Sequence, residues 1–318
     1  MCMRSGKIPF IIKKFILERK NIMKKRFAIK GFSFVLVLAM LIVGMVVVPA
    51  AAETTTPTYA PDETWGADED GVYRIYDAPD LLKFLSTVKL WGDGDAYEGK
   101  TVMLMADIDL NPGWDASSKT KPVNLWTEGW KCSGIQFDGS FDGNGHTLRG
   151  IYVESDSYRL SLFGEFKGSK PAVLKNLRVE NVYLKAFEKK DNDNNKSYHG
   201  VGLFYHTVNS NTATLSFENV YVAEDVYIDA TFGQIGGFVG RTWNQKNINP
   251  TLIFRDCVFA GTINSTGMRG ETLMVTTSVG GFLGSDRDID VTNVTYERCV
   301  FAGTINAKGA AGGKVGKG

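Results

Sequence analysis

Apolar and glycine positions recur in a fixed order along much of the chain. Leu160-Ser-Leu-Phe-Gly164 opens one unit and Val201-Gly-Leu-Phe-Tyr205 the next, followed by Ile235-Gly-Gly-Phe-Val-Gly240 and Val279-Gly-Gly-Phe-Leu-Gly284. Each opener leads to a strand-like segment: Leu174–Val179, Leu215–Val220, Leu252–Cys257 and Val294–Cys299. Their β-branched, aromatic and glycine content, with no helical period, predicts strands. An octad, Cys257-Val-Phe-Ala-Gly-Thr-Ile-Asn264, returns unchanged at Cys299–Asn306, 42 positions later. Repetition at this period predicts an all-β solenoid of stacked coils, one three-sided coil per repeat, with apolar side chains inward. The openers are unequally spaced, which assigns the length variation to loops.

Stacking makes a specific claim about charge. Arg255-Asp256 of one repeat becomes Glu297-Arg298 in the next. In parallel strands about 4.8 Å apart, equivalent positions lie above one another, so Arg255 should meet Glu297 and Asp256 should meet Arg298. Such pairs tune register rather than hold the fold.

Ahead of the repeats the pattern changes. Tyr73–Tyr76 reads as a short strand, and Asp77-Ala-Pro-Asp-Leu-Leu-Lys-Phe-Leu85 follows. Asp77 is placed to cap a helix over residues 78–89, and Pro79 fits its first turn. Leu81, Leu82, Phe84, Leu85 and Val88 give it one apolar face, suited to covering the open end of the sheets. Thr101–Leu110 reads as an apolar strand that ends in alternating carboxylates. Asp142-Gly-Asn-Gly145 is turn chemistry between two further strands.

The N-terminus reads as an address. Met23-Lys-Lys-Arg26 and Lys30 precede an apolar run over Phe32–Val48, then Pro49 and Ala50-Ala-Ala52. This is a secretory signal peptide by composition, cleaved after Ala52, with residues 1–22 an upstream extension. An uncleaved anchor is the lesser reading, and membrane contact is expected through that segment alone. Residues 53–72 read as a flexible leader and 73–318 as the solenoid. Ten of the 36 Lys and Arg residues and one of the 35 acidic residues lie in 1–52, leaving 26 against 34, a net charge of −8. An acidic secreted chain is a poor binder of nucleic acid. Three cysteines remain, Cys132, Cys257 and Cys299, too few and too scattered for a disulfide framework or a zinc site. Cys257 and Cys299 read as stacked buried side chains, with a disulfide as the alternative.

The motifs resemble those of a known group. Gly236-Gly-Phe-Val-Gly240 and Gly280-Gly-Phe-Leu-Gly284 are similar to the GLUG repeat of bacterial surface proteins. Asp107-Ile-Asp-Leu-Asn-Pro-Gly-Trp114, Trp126-Thr127 and Phe137–Leu148 are similar to the segment that precedes such repeats. The resemblance covers roughly residues 73–318. It implies a right-handed parallel β-helix of the pectate-lyase type, secreted or surface-attached, with an adhesive or architectural role, and it brings no set of catalytic residues. Two features depart from the pattern. Glu128–Cys132 replaces the usual Pro-Ile after Trp126-Thr127, and Lys314 stands where the final opener, Ala311–Gly316, should be apolar. The repeats are therefore expected to be incomplete at the C-terminus.

Candidate chemistry is sparse. Asp107, Asp109, Asp138 and Asp142 could supply the paired carboxylates of a glycoside hydrolase, but Asp in turn-rich motifs more often binds backbone amides. A polysaccharide lyase or glycoside hydrolase on this fold is the alternative function, and a passive spacer is the third. Asp191–Asn195 lacks the glycine and closing glutamate of a calcium loop. His146, His199 and His206 fall in unrelated segments. No HExxH, GxSxG or phosphate-loop motif occurs. No catalytic residue, metal site or cofactor is predicted. The candidate ligand-binding residues are Trp114, Trp126 and Trp130, whose exposed rings could stack on sugars or instead pack over the helical cap. The expected partner is an extracellular glycan or a host or bacterial surface protein.

Overall fold

The computed structural model describes residues 65–308 apart from 91, 93, 124–133, 157–158, 188–199, 211, 244–249, 270–271, 274–276 and 287–292. The described residues lie in the unit Pro57–Gly318. They are all-β except for one α-helix and one 3-10 turn. Parallel strands form three sheets. The largest follows Val72–Ile75, Thr101–Leu104, Ser140–Asp142, Ala172–Ala186, Thr214–Val222, Thr251–Arg255 and Asn293–Glu297. The long Ala172–Ala186 strand links this path to a second row of the same sheet: Thr147–Ser155, Val226–Ala230, Thr262–Ser265 and Thr304–Ala307. A second sheet contains Arg159–Leu160, Gly200–Gly202, Gln234–Gly236 and Ser278–Gly280. A third runs from Lys89–Leu90 through Ile135–Gln136, Glu165–Phe166, Tyr205–Val208 and Val239–Thr242 to Leu283–Asp286.

Each opener supplies one strand to the second sheet and one to the third. Leu160, Val201, Ile235 and Val279 stand in one register column. The corner between the two strands holds buried Leu162 and Leu203 in the first two openers, but needs glycine in the last two: a Cβ on Gly237 would lie 2.0 Å from Gly281 O and 2.6 Å from Phe259 Cδ2. Gly281 meets Phe301 in the same way. The Gly-Phe opener and the octad are thus two halves of one repeated contact. Inside, the opener phenylalanines follow one another, with Phe204–Phe238 centroids 5.2 Å apart and Phe238–Phe282 4.9 Å. Phe217, Phe254 and Tyr296 stack nearly flat at 5.0 and 5.1 Å.

The helix spans Ala78–Thr87, and the Asp77 carboxylate accepts from Asp80 N–H at 3.0 Å. Leu81, Phe84 and Leu85 are buried, with Phe84 edge-on to Tyr97 and Phe137. It stops before residue 89 because Val88 is extended and Lys89–Leu90 pair antiparallel with Ile135–Gln136. The predicted strand 101–110 is two strands, Thr101–Leu104 and Ile108–Asp109. Trp65, read as part of the leader, packs on Tyr73 and Phe84, so the packed structure begins before residue 73.

The charge column forms as expected. Arg255 Nε donates to Glu297 at 2.8 Å, and Arg298 holds Asp256 through two bonds of 2.6 and 2.8 Å. One alignment needs correction. Leu215 pairs with Ala172, not Leu174, which faces Phe217. The slip is two residues, so the same side of the strand still faces inward. The corner column beside it is left-handed: Asn176, Asn219, Asp256 and Arg298 have φ of 51–54°. Asn tolerates this conformation, while Asp256 and Arg298 hold it with their side chains bonded to each other. Cys257 and Cys299 are free thiols; Cys257 is fully buried, its Sγ 3.2 Å from Arg255 O and 3.4 Å from Phe217 O.

Candidate ligand-binding face

Strand alternation sorts the second row of the large sheet into two faces. Ile151, Val153, Val182, Leu184, Val226, Ile228 and Ile263 point into the core. The residues between them point outward in register. Tyr152, Tyr183, Tyr227, Thr262 and Thr304 make one column, and Glu154, Lys185, Asp229, Asn264 and Asn306 the next.

A loop lies across the aromatic column and buries Tyr152 and Tyr183 beneath Ala116, leaving Tyr227 part-exposed. Asp115 caps the 3-10 turn Ala116–Ser118, accepting from Ser117 N–H at 2.8 Å. Asn181, itself left-handed, fastens that turn: its Oδ1 accepts from Ala116 N–H and its Nδ2 donates to Trp114 O, both at 2.7 Å. Trp114 then stands edge-on to Tyr152 at 6.0 Å, and Tyr152 lies 5.8 Å from Tyr183. Lys119 Nζ sits 5.8 Å and 5.5 Å from the rings of Tyr183 and Tyr227 and bonds Asp229 at 2.9 Å. Both ring contacts fall within cation–π range.

The polar column is bonded in two stretches, Glu154–Lys185 and Asp229–Asn264–Asn306. Lys185 donates to Glu154 at 2.6 Å, Tyr183 OH to Asp229 at 3.1 Å, Asn264 Nδ2 to Asp229 at 2.5 Å, and Asn306 Nδ2 to Asn264 Oδ1 at 2.9 Å. Burial, reinforced by the carboxylates of Glu154 and Asp229, pushes the Tyr152 and Tyr183 phenols well above their ordinary range. Both therefore remain hydrogen-bond donors at physiological pH. The Lys185 ammonium, with the Tyr152 hydroxyl, holds Glu154 below the usual carboxylate range. A groove of about 490 Å³ crosses the strands here, lined by Lys185, Asp229, Asn264 and Asn306 together with Phe187 and Thr231.

Of the predicted ligand residues, Trp114 belongs to this face and packs on Tyr152, not on the helix. Trp126 and Trp130 lie outside the described residues, as do Cys132, Asp191–Asn195 and His199. The four aspartates are each engaged structurally. Asp107 accepts from Thr147 N–H and faces His146, and Asp109 pairs with Arg149. Asp138 is buried and accepts from Lys167 N–H at 2.7 Å and Gln136 Nε2 at 2.5 Å. Asp142 caps the Asn144 turn and contacts Asn176 and Lys175. His206 is buried in the third sheet, its ring held neutral by desolvation. Among the described residues, no group of three His, Cys, Asp or Glu side chains is placed to hold a metal ion.

The tyrosine column escaped sequence reasoning, although a signal existed. Ile-Tyr152-Val-Glu, Val-Tyr183-Leu-Lys and Val-Tyr227-Ile-Asp repeat one pattern: a tyrosine between apolar residues and a charge two positions on.

No family model and no curated protein matches the chain. Among solved structures, it is similar to that of a candidate immunoglobulin A1 protease from Bacteroides ovatus. The two share 12% sequence identity over 76% of this chain and 86% of the other, with a TM-score of 0.33. A likeness at that level carries no argument about fold or activity.

Proposed function

We propose that the chain is a secreted or cell-surface protein of the GLUG-repeat type, a right-handed parallel β-helix with a helical cap at its N-terminal end. Its role in this reading is non-enzymatic, adhesive or architectural, and its partner is an extracellular glycan. The observation that carries the proposal is the outward polar row Lys185, Asp229, Asn264 and Asn306, which lines a groove beside the part-exposed Tyr227. The exposed Phe187 ring next to amides, hydroxyls and paired charges matches the amphipathic surface of a sugar chain. Parallel pairing of each repeat with the next supports the β-helix assignment. The engagement of Asp107, Asp109, Asp138 and Asp142 by separate backbone and side-chain partners favours binding over hydrolysis, which needs two carboxylates free to face one sugar.

The test is a glycan array probed with the full chain, with and without calcium, and with the bound glycans checked for cleavage. Selective binding without turnover, lost in Tyr227→Ala, is expected. Cleavage would replace this reading with the lyase or hydrolase. Silence from a folded sample would leave the spacer. Mass spectrometry of the exported protein tests the compartment, with Glu53 expected as its first residue.

A further inference from the structure

We infer that the groove beside the tyrosine column takes an extended β-1,4-linked polysaccharide, lying across the strands with one sugar per coil. The inference rests on the glycan-binding reading and deepens it. Its basis is the periodicity of the polar groups. Lys185, Asp229, Asn264 and Asn306 occupy one position on four successive parallel strands. Their spacing is the strand spacing, about 4.8 Å, so the row spans about 14 Å. A β-1,4-linked pyranose chain is a flat ribbon whose advance per residue is close to that spacing. An α-1,4-linked chain curls away from a straight row.

The hydrogen-bond inventory leaves the row able to bind. A primary amide carries two N–H donors. Asn264 uses one on Asp229, and Asn306 uses one on Asn264. Each retains a second N–H, and Asn306 also keeps its carbonyl oxygen, for hydroxyls directed sideways from a sugar ring. The internal bonds fix the orientation of both amides before any ligand arrives, which lowers the ordering cost of binding. Phe187, 36% exposed, lies along the same groove with Lys185 Nζ over one face at 5.5 Å, and Thr231 and Thr266 also line it. The two charges inside the row are already compensated: Lys185 by Glu154, Asp229 by Lys119. A neutral chain therefore meets no unpaired charge in the row, and Lys308, also lining the groove, is the one further charged side chain there.

Calorimetric titration of the full chain with cello-oligosaccharides of two, four and six sugars, and with maltohexaose, tests this. Cellotetraose and cellohexaose should bind alike. Cellobiose, missing the contacts of two coils, should bind about tenfold or more weakly, and maltohexaose should not bind. Asn264→Ala should weaken cellotetraose about fivefold or more while leaving the circular dichroism unchanged. Equal affinity for cellobiose and cellohexaose, or binding of maltohexaose, would overturn the one-sugar-per-coil geometry. So would unaltered cellotetraose binding by a folded Asn264→Ala protein. The array separates the two levels. If it detects only branched or α-linked glycans, dependent on Tyr227, the inference fails while the glycan-binding reading stands. If no glycan binds, both fail.

Discussion

Phe254 is the most demanding test of the packing. It is fully buried and meets four rings: Phe217 at 5.0 Å and Tyr296 at 5.1 Å, both nearly parallel, and Phe282 at 5.5 Å and Phe238 at 5.8 Å, both steeply inclined. Phe254→Ala removes the ring from a site whose neighbours sit on separate strands and cannot close in together. Truncation of a buried Phe costs about 3–5 kcal/mol, and the site belongs at the upper end because rigid strands limit collapse. Phe254→Leu keeps most of the volume and should cost about 1–2 kcal/mol. Tyr296→Ala, at a half-buried site with one flat-stacked neighbour, should fall between them. Urea unfolding of the full chain, followed by far-ultraviolet circular dichroism, orders the three variants. A cost for Phe254→Ala under about 1 kcal/mol, or equal costs for the Ala and Leu variants, would refute the continuous aromatic core.

Three further outcomes are expected. Burial raises the Asp138 carboxyl above its unfolded value, so its contribution is most favourable below pH about 4 and is lost as pH rises through the folded value; Asp138→Asn should therefore gain in relative stability between acid and neutral pH, and a pH-independent difference would contradict this. The Cys257 thiol, pushed up to about 12 by burial, should resist iodoacetamide at pH 8 in the folded protein and react after denaturation, with mass spectrometry as the readout. Asp256 and Arg298 are bonded at exposed positions, so a double-mutant cycle should find a small coupling that fades with added salt, and a salt-independent value would count against ion pairing.

Much of the fold was legible because the repeats carry their own register. The openers, the octad and the Arg255–Glu297 pair could be aligned without knowing any backbone. The slip at Leu174 shows where this stops: Ala172 and Leu174 both face inward, so apolar alternation cannot choose between them. The left-handed Asn176 and Asn219 mark the corner and would have decided it. The face was harder to read. Tyrosine within a strand suits β structure whichever way it points, so Tyr183 and Tyr227 looked like ordinary strand residues. Trp114 drew attention by its rarity, but its partner Tyr152 comes from a strand 38 residues away and emerges only from pairing. Asn181, which anchors the loop, acts through a backbone conformation that its name alone does not specify.

The identical octads have a consequence for how such a chain changes length. Val258 lies on Val300, Phe259 on Phe301, Thr262 on Thr304 and Asn264 on Asn306, so this unit is complementary to its own copy. A gene segment encoding it can be duplicated in tandem, and the newcomer finds a fitting neighbour above and below without a new interface having to evolve. Deletion of one copy restores the same contact between the survivors. Recombination between near-identical segments can then lengthen or shorten the protein in whole-repeat steps, and each step adds or removes one rung of the outward column.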